Sequence, residues 1–229
     1  MRQLISVIIP ALNEEDGIQA TLRSVTSQSV KHEAIVVDGG STDDTVRLAR
    51  PYASVISASR GRAKQMNAGA RQARGDVLLF LHADTVLQSG ALEQIRTTLN
   101  DERFDGGAFR LRFDTPTPLL RLYSLCTRLP IPKICFGDRG IFVRSRVFDD
   151  LGGYPDLPMF EDLELVRMLA ERDTFAFLDE YVVTSARRFR RVGPLRQQLR
   201  NTYLWLHYVA GTDPHALTHR YPYGGDAAS

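Results

Sequence analysis

The chain is poor in cysteine, lysine and tryptophan, carries almost no net charge, and has no apolar run approaching about 18 residues. Each scarcity excludes something. The 2 cysteines, Cys126 and Cys135, flank Pro130 and Pro132 at no metal-ligand spacing and are too few for a disulfide framework, so a packed core in a reducing compartment is expected. Without a long apolar run no spanning helix is expected. The opening Met1 to Ile9 reaches Pro10 and Asn13 too soon for a signal-peptide core, so the expected location is cytoplasmic. A formal net charge of +2 gives no reason to expect nucleic acid as a partner. Only Lys31, Lys64 and Lys133 are lysines, so the basic side is almost all guanidinium, which suits phosphate oxygens; a biased genome would produce the same skew.

What is present is ordinary globular composition, 43% hydrophobic over 229 residues, enough for a single core. Short apolar segments near 4–9, 34–38, 54–57 and 77–82 alternate with helical patterns near 14–27, 43–50, 62–73 and 89–99, which predicts βαβ units and a parallel sheet. After residue 105 the pattern changes. Gly106 to Phe113 alternates like a half-exposed strand, and Thr115-Pro116-Thr117-Pro118 breaks the chain before another helical stretch. A strand at 140–144, a helix from Glu161 to Glu171 and one or two strands over 175–185 follow. No repeat and no flexible linker divides the halves.

Polar groups gather where the apolar strands end, and open α/β sheets bind ligands beyond those ends. Val77-Leu78-Leu79-Phe80-Leu81 runs into His82-Ala83-Asp84; on an extended chain His82 and Asp84 point the same way and could share a metal ion or a phosphate-bearing ligand. Asp84 could equally be a turn residue or a helix cap. The first strand leaves through Pro10, after which Asn13 could cap a helix. The second ends at Asp38, before Gly39 and Gly40.

These ordered motifs resemble family 2 glycosyltransferases, enzymes of the GT-A fold that use nucleotide sugars. The likeness covers roughly residues 4 to 190. It implies an α/β, Rossmann-like nucleotide-diphospho-sugar transferase fold with a mostly parallel central sheet flanked by helices. It also implies one domain over 1–217: a nucleotide-binding half to about 100, an acceptor-facing half over about 101–190, and a C-terminal helix over about 195–210. The tail 218–229 is expected to be disordered. By the same likeness Pro10, Asn13, Glu15 and Asp38 hold the nucleotide, and Arg62, in Arg60-Gly61-Arg62-Ala63-Lys64-Gln65, closes over its base.

The segment His82-Ala83-Asp84 resembles the acid-any-acid motif of that family, which implies that all three bind the donor and that Asp84, with His82, holds a divalent cation, Mn²⁺ or Mg²⁺. The family usually has acids at the positions of His82 and Gly39. An imidazole ligand suits Mn²⁺ better than Mg²⁺, and with an ordinary pKa near 6.5 it would lose the ion as pH falls. Glu161-Asp162 resembles the acidic pair whose aspartate is the catalytic base of inverting enzymes, and a first helical turn is expected to keep the Asp162 pKa low. Thr184-Ser185-Ala186-Arg187-Arg188-Phe189 resembles a degenerate glutamine-any-any-arginine-tryptophan motif, implying that Arg188 steadies the leaving diphosphate. Arg187, Arg190 and Arg191 are read as a solvated or membrane-facing basic cluster.

In Gly137-Asp138-Arg139-Gly140, Asp138 either holds an acceptor hydroxyl or satisfies Arg139. Together with the Leu81 to Thr85 and Thr184 to Arg188 segments, this is similar to a subgroup associated with radical-SAM and selenium-domain genes and with arsenosugar biosynthesis. The reading is thus inverting transfer from a nucleoside diphosphate sugar, UDP-linked by preference, to a small-molecule or lipid acceptor. Two alternatives stand beside it. A sugar nucleotidyltransferase would share the sheet. A non-catalytic membrane-surface or lipid-binding protein is suggested by Leu199, Tyr203, Leu206 and Val209, which could form an apolar stripe beside Arg196 and Arg200 at the inner membrane face, unless that helix packs on the domain.

Overall fold

A computed structural model describes residues 3–115 and 117–217. Strands β1 (Ile5–Ala11), β2 (His32–Asp38), β3 (Ser54–Ser57) and β4 (Val77–Phe80) alternate with helices α1 (Ile18–Thr26), α2 (Thr45–Ala49) and α3 (Arg62–Gln72), as the periodicity predicts. Then come β5 (Thr85–Leu87), α4 (Ala91–Leu99), β6 (Gly106–Phe113), α5 (Pro118–Cys126), β7 (Ile141–Arg144) and α6 (Ser145–Asp150). The chain continues through α7 (Glu161–Ala170), β8 (Phe175–Thr184), α8 (Arg187–Val192), α9 (Pro194–Val209) and α10 (Pro214–Leu217). The expected tail lies outside the described residues.

The eight strands form one sheet in the order β3-β2-β1-β4-β7-β6-β8-β5. The block from β3 to β4 is parallel, β7 runs antiparallel to both β4 and β6, β8 is parallel to β6, and β5 closes the edge antiparallel to β8. Parallel pairings exceed antiparallel ones by four to three, so the sheet is mixed. Alternating residues of β1 serve two cores: Ile5, Val7 and Ile9 pack with Leu22 and Ile95 on one face, Ile8 with Met66, Phe80 and Val166 on the other. Helices on both faces explain why β1 is buried along its whole length.

Three local expectations are corrected. Pro10 does not end its strand: it pairs with Val37 inside β1, past Ile8, the last residue paired to β4, so its missing amide falls where that ladder has ended. Helix α1 starts at Ile18 with Gly17 before it, so Asn13 does not cap it. Strand β4 stops at Phe80, and residues 82–84 form a turn closed by the Thr85 amide on the His82 carbonyl, not an extended chain.

The topology brings many loops to one edge. β1, β2 and β4 are parallel and end there; antiparallel β7 begins there; β6 and β8 reach it with their last residues; and β5 starts there, Thr85 opposite Thr184. Residues 12–17, 39–44, 81–84, 137–140 and 185–188 therefore face one another.

Candidate active site

The first two loops are sewn together by polar bonds. Asn13, with a left-handed φ of 53°, donates its amide to Ser41 Oγ (3.0 Å) and accepts from the Thr42 amide at Oδ1 (2.9 Å). The Glu15 carboxylate accepts from the Asp44 amide (3.1 Å), and the Glu14 amide donates to Thr45 Oγ1 (2.7 Å). Asp38 is buried, and its oxygens accept from the amides of Gly40 and Ser41. Asn13 and Glu15 thus stand exposed on the rim, with Asp38 buried behind it and Pro10 buried within β1. Below them Gln65 of α3, 4% exposed, donates to the carbonyls of Ala11 (2.9 Å) and Val37 (2.8 Å), tying the ends of β1 and β2. Sequence reasoning passed over Gln65; the signal was an amide on the helix face that otherwise buries Ala63 and Met66.

Asp84 sits against the start of α1, where a Cβ on Gly17 would lie 3.2 Å from the Asp84 Cα; glycine permits that approach. The Ser185 amide donates to the Asp84 carbonyl (3.1 Å), so the Ser185–Arg188 segment lies over the acid. Arg187 pairs with Glu14 (2.6 Å) and Asp16 (3.1 Å), correcting its reading as a solvated cation; Arg190 likewise donates to Thr115 Oγ1 (2.7 Å). Burial raises the Asp84 pKa, while the Arg187 and Arg188 guanidinium groups oppose it. Glu14, which sequence reasoning did not single out, is raised by burial and then by the charge of Asp84.

His82 Nε2 is out of solvent and has no hydrogen-bond partner. Burial and the nearby Arg62 and Arg188 push its pKa down to about 3. The imidazole is therefore neutral throughout the ordinary pH range, and the expected loss of ligation near 6.5 is corrected. Ala83 is buried, its carbonyl held by Thr21 Oγ1 (2.9 Å).

The acid pair stands at the start of α7, after Phe160, whose φ of 66° is left-handed. Glu161 is 1% and Asp162 5% exposed. Arg62, the first residue of α3, reaches both: Nε lies 3.4 Å from Glu161 Oε1, and a terminal nitrogen 3.7 Å from Asp162 Oδ2. The Asp162 carboxylate lies directly on Gly137, where any Cβ would overlap it. Burial, then the charge of Glu161, raise the Asp162 pKa well above the carboxylate range, against the pull of Arg62. The expectation of a low pKa fails because the helix start is buried beside a second acid.

Asp138 Oδ1 is likewise buried without a hydrogen bond, and burial lifts its pKa to about 6 against the charge of Arg139. Asp84, Arg62 and Arg188 also act on it, so Asp138 faces the same cluster. Arg139 is anchored on backbone: it donates to the carbonyls of Phe109 (2.7 Å) and Thr127 (2.9 Å).

One charged cluster thus joins Asp84, Asp138, Glu161 and Asp162 with Arg62, Arg187 and Arg188 at the end of a nucleotide-type sheet. The sequence profile described as Glycosyl transferase family 2 matches residues 6–145. The chain belongs to that family. It is 30% identical over 175 residues, 66% of its own length and 56% of the relative's, to glycosyltransferase AglE of Haloferax volcanii. The chain spans about half the length, or less, of the curated relatives it matches.

Its fold is that of GT-A glycosyltransferases. The superposition on Staphylococcus aureus TarS 1-349 in complex with UDP gives a TM-score of 0.64 at 19% identity, over 79% of this chain and 60% of that one. Glucosyl-3-phosphoglycerate synthase from Mycobacterium tuberculosis, in complex with Mn²⁺, UDP and glucosyl-3-phosphoglycerate, gives 0.64 at 20% identity, over 91% and 80%.

Among the described residues no three His, Cys, Asp or Glu side chains converge as a metal cage. Of the four carboxylates in the cluster, that of Asp84 shares its turn with a neutral, unpartnered imidazole nitrogen, that of His82. This donor pair fits an ion that takes its other ligands from phosphate oxygens and water.

Proposed function

We propose that the protein transfers a sugar from a nucleoside diphosphate donor to an acceptor hydroxyl with inversion. The observation that carries this is the convergence, at one end of the sheet, of a buried acid pair held by Arg62 with the Asp84 turn and the guanidinium groups of Arg187 and Arg188. Residues up to about 100 form the donor half, and residues 101–190 the acceptor half, of a single domain ending near 217. Pro10, Asn13, Glu15 and Asp38 frame the nucleotide, Arg62 closes over it, and Arg188 with the His82-Ala83-Asp84 turn receives the diphosphate.

A divalent cation held by Asp84 and His82 would neutralise diphosphate charge, and the imidazole favours Mn²⁺ over Mg²⁺. Asp138 orients the acceptor. Asp162 takes the acceptor proton as the acceptor oxygen bonds to the anomeric carbon, and the bond from that carbon to the diphosphate oxygen breaks with its electron pair leaving on the nucleotide. Burial, and then the charge of Glu161, keep the Asp162 pKa high, so the ionised base is a strong proton acceptor. The donor is UDP-linked, and the chain falls in the arsenosugar-associated subgroup.

A sugar nucleotidyltransferase is disfavoured because the loop after β1 carries Glu14, Glu15 and Asp16 in place of a glycine-rich basic phosphate loop. The test is a thermal-shift screen of nucleotide sugars and nucleoside triphosphates with and without Mn²⁺, where a ligand at about 100 times its Kd stabilises by about 2.7 kcal/mol. Stabilisation by triphosphates but not by diphosphate sugars would refute the transferase reading.

A further inference from the structure

Helix α9 buries Leu204 against the domain but leaves a second apolar stripe outward. Its polar Gln197 is 2% exposed against the domain, whereas Leu195 and Leu199 are 65% and 63% exposed, and the outward stripe continues through Leu206. An ordinary surface helix buries the apolar stripe. Leu122, Leu125 and Leu129, on and just after α5, are also exposed, and every large exposed apolar side chain among the described residues lies within 122–131 or 195–209. These segments adjoin: α5 packs beside α9, and Trp205 donates its indole N–H to the Lys133 carbonyl (2.8 Å). Such segregation marks an interaction face and not scattered surface residues.

The charge of the face names its partner. Residues 118–133 and 190–210 contain seven of the chain's 29 Lys and Arg and none of its 27 acids, leaving the remainder net acidic. Arg191, Arg196 and Arg200 line an open cleft of about 670 Å³ with Val192. Two copies meeting through this face would set cation against cation. No helix among the described residues is long and apolar enough to cross a membrane.

We propose that α5 and α9 together seat the protein on an anionic lipid surface, with the leucines entering the acyl boundary and the arginines meeting lipid phosphate. This stands independently of the transferase reading, since none of these residues lies in the charged cluster. The face is of the in-plane kind: apolar side chains outward, guanidinium groups beside them, and a polar side chain inward.

The test is flotation of the full chain with phosphatidylcholine vesicles with and without phosphatidylglycerol, at low and high salt, with fluorescence of Trp205, the single tryptophan. Binding is expected only to anionic vesicles, with a blue shift. Leu199→Gln with Leu206→Gln, and separately Leu122→Gln with Leu125→Gln, should each weaken it by at least about tenfold, since burying one leucine is worth more than that. Arg196→Glu with Arg200→Glu should weaken it similarly. All six positions are at the surface, and an unchanged melting temperature verifies folding. Absence of vesicle binding, indifference to both leucine pairs, equal binding to neutral vesicles, or a dimer that the leucine variants dissolve would each overturn the proposal. A nucleotide-sugar thermal shift retained by the same variants separates this outcome from failure of the transferase reading.

Discussion

Replacing Arg62 with Met should destabilise the protein in a pH-dependent way. Methionine keeps an apolar stem of similar length but removes the guanidinium from between Glu161 and Asp162. At 3.4 and 3.7 Å, and an effective dielectric of ~20, each contact is worth about 4–5 kcal/mol before desolvation is counted. Breaking a buried pair by removing one partner typically costs about 3–5 kcal/mol, which for a chain of this size lowers Tm by about 6–20 °C. The sign of the pH effect follows from Asp162. Its folded pKa already lies above the unfolded value, and losing Arg62 raises it further. A raised acid contributes stability that is present below the unfolded pKa and lost as pH rises through the folded one. The loss should therefore be smaller near about pH 5, where the Asp162 share is absent, than above about pH 8, in ligand-free melts. Glu161→Gln on the Arg62→Met background should recover most of it, because the uncompensated charge is gone. An equal Tm loss at both pH values, or no recovery, would refute this account of the acid pair.

Asp162→Asn should abolish transfer, with donor binding by calorimetry nearly unchanged; turnover within about tenfold of the parent would remove Asp162 from the role of base. In the parent, turnover at saturating substrate should rise with pH through the raised Asp162 pKa, and a rate that falls with pH would contradict that role. Asp84→Ala should weaken nucleoside diphosphate binding far more with Mn²⁺ than with chelator, and equal weakening would mean that Asp84 acts without a metal. Asp138→Asn should stabilise the protein near neutral pH by at most ~3 kcal/mol, because burial has lifted the parent carboxyl to about 6. Asp138 in the parent gives stability that is lost between its unfolded value and about 6, so parent and variant melts should converge in acid.

How far the sequence was legible depended on how local the signal was. Alternating strands and helices through α4 were readable because a buried parallel strand is a short apolar run, and the family motifs lie at the ends of such runs. The three-residue β5 was not, because its identity comes from pairing with β8, about 100 residues on. The same limit applies to charges. Arg187 reads as one of three arginines in a solvated or membrane-facing cluster until the chain returns and sets it on Glu14 and Asp16. His82 and Asp84 do face one cluster, but a turn and the antiparallel start of β5 bring that about, not strand alternation. The Asp162 pKa was misjudged since a helix start seen locally is a favourable dipole, and only tertiary burial beside Glu161 reverses the balance.

The position of that aspartate depends on a segment far along the chain. Phe160, just before the acid pair, holds a left-handed φ of 66°, which costs a bulky residue on the order of 1–3 kcal/mol and persists only where surroundings over-determine it. Here they are supplied by α9: the Tyr208 ring stacks on Phe160 at 4.6 Å and 28°, and its hydroxyl bonds Glu164 one turn into α7. Leu204 and Leu217 pack on Met159 in the same small cluster. One face of α9 thus fixes the strained entry to Glu161 and Asp162 while the opposite face presents leucines outward. If the outer face meets lipid, the helix that sets the acid pair also sets its distance from the membrane plane, so the site is held at a fixed height over the surface from which an amphiphilic acceptor would be drawn.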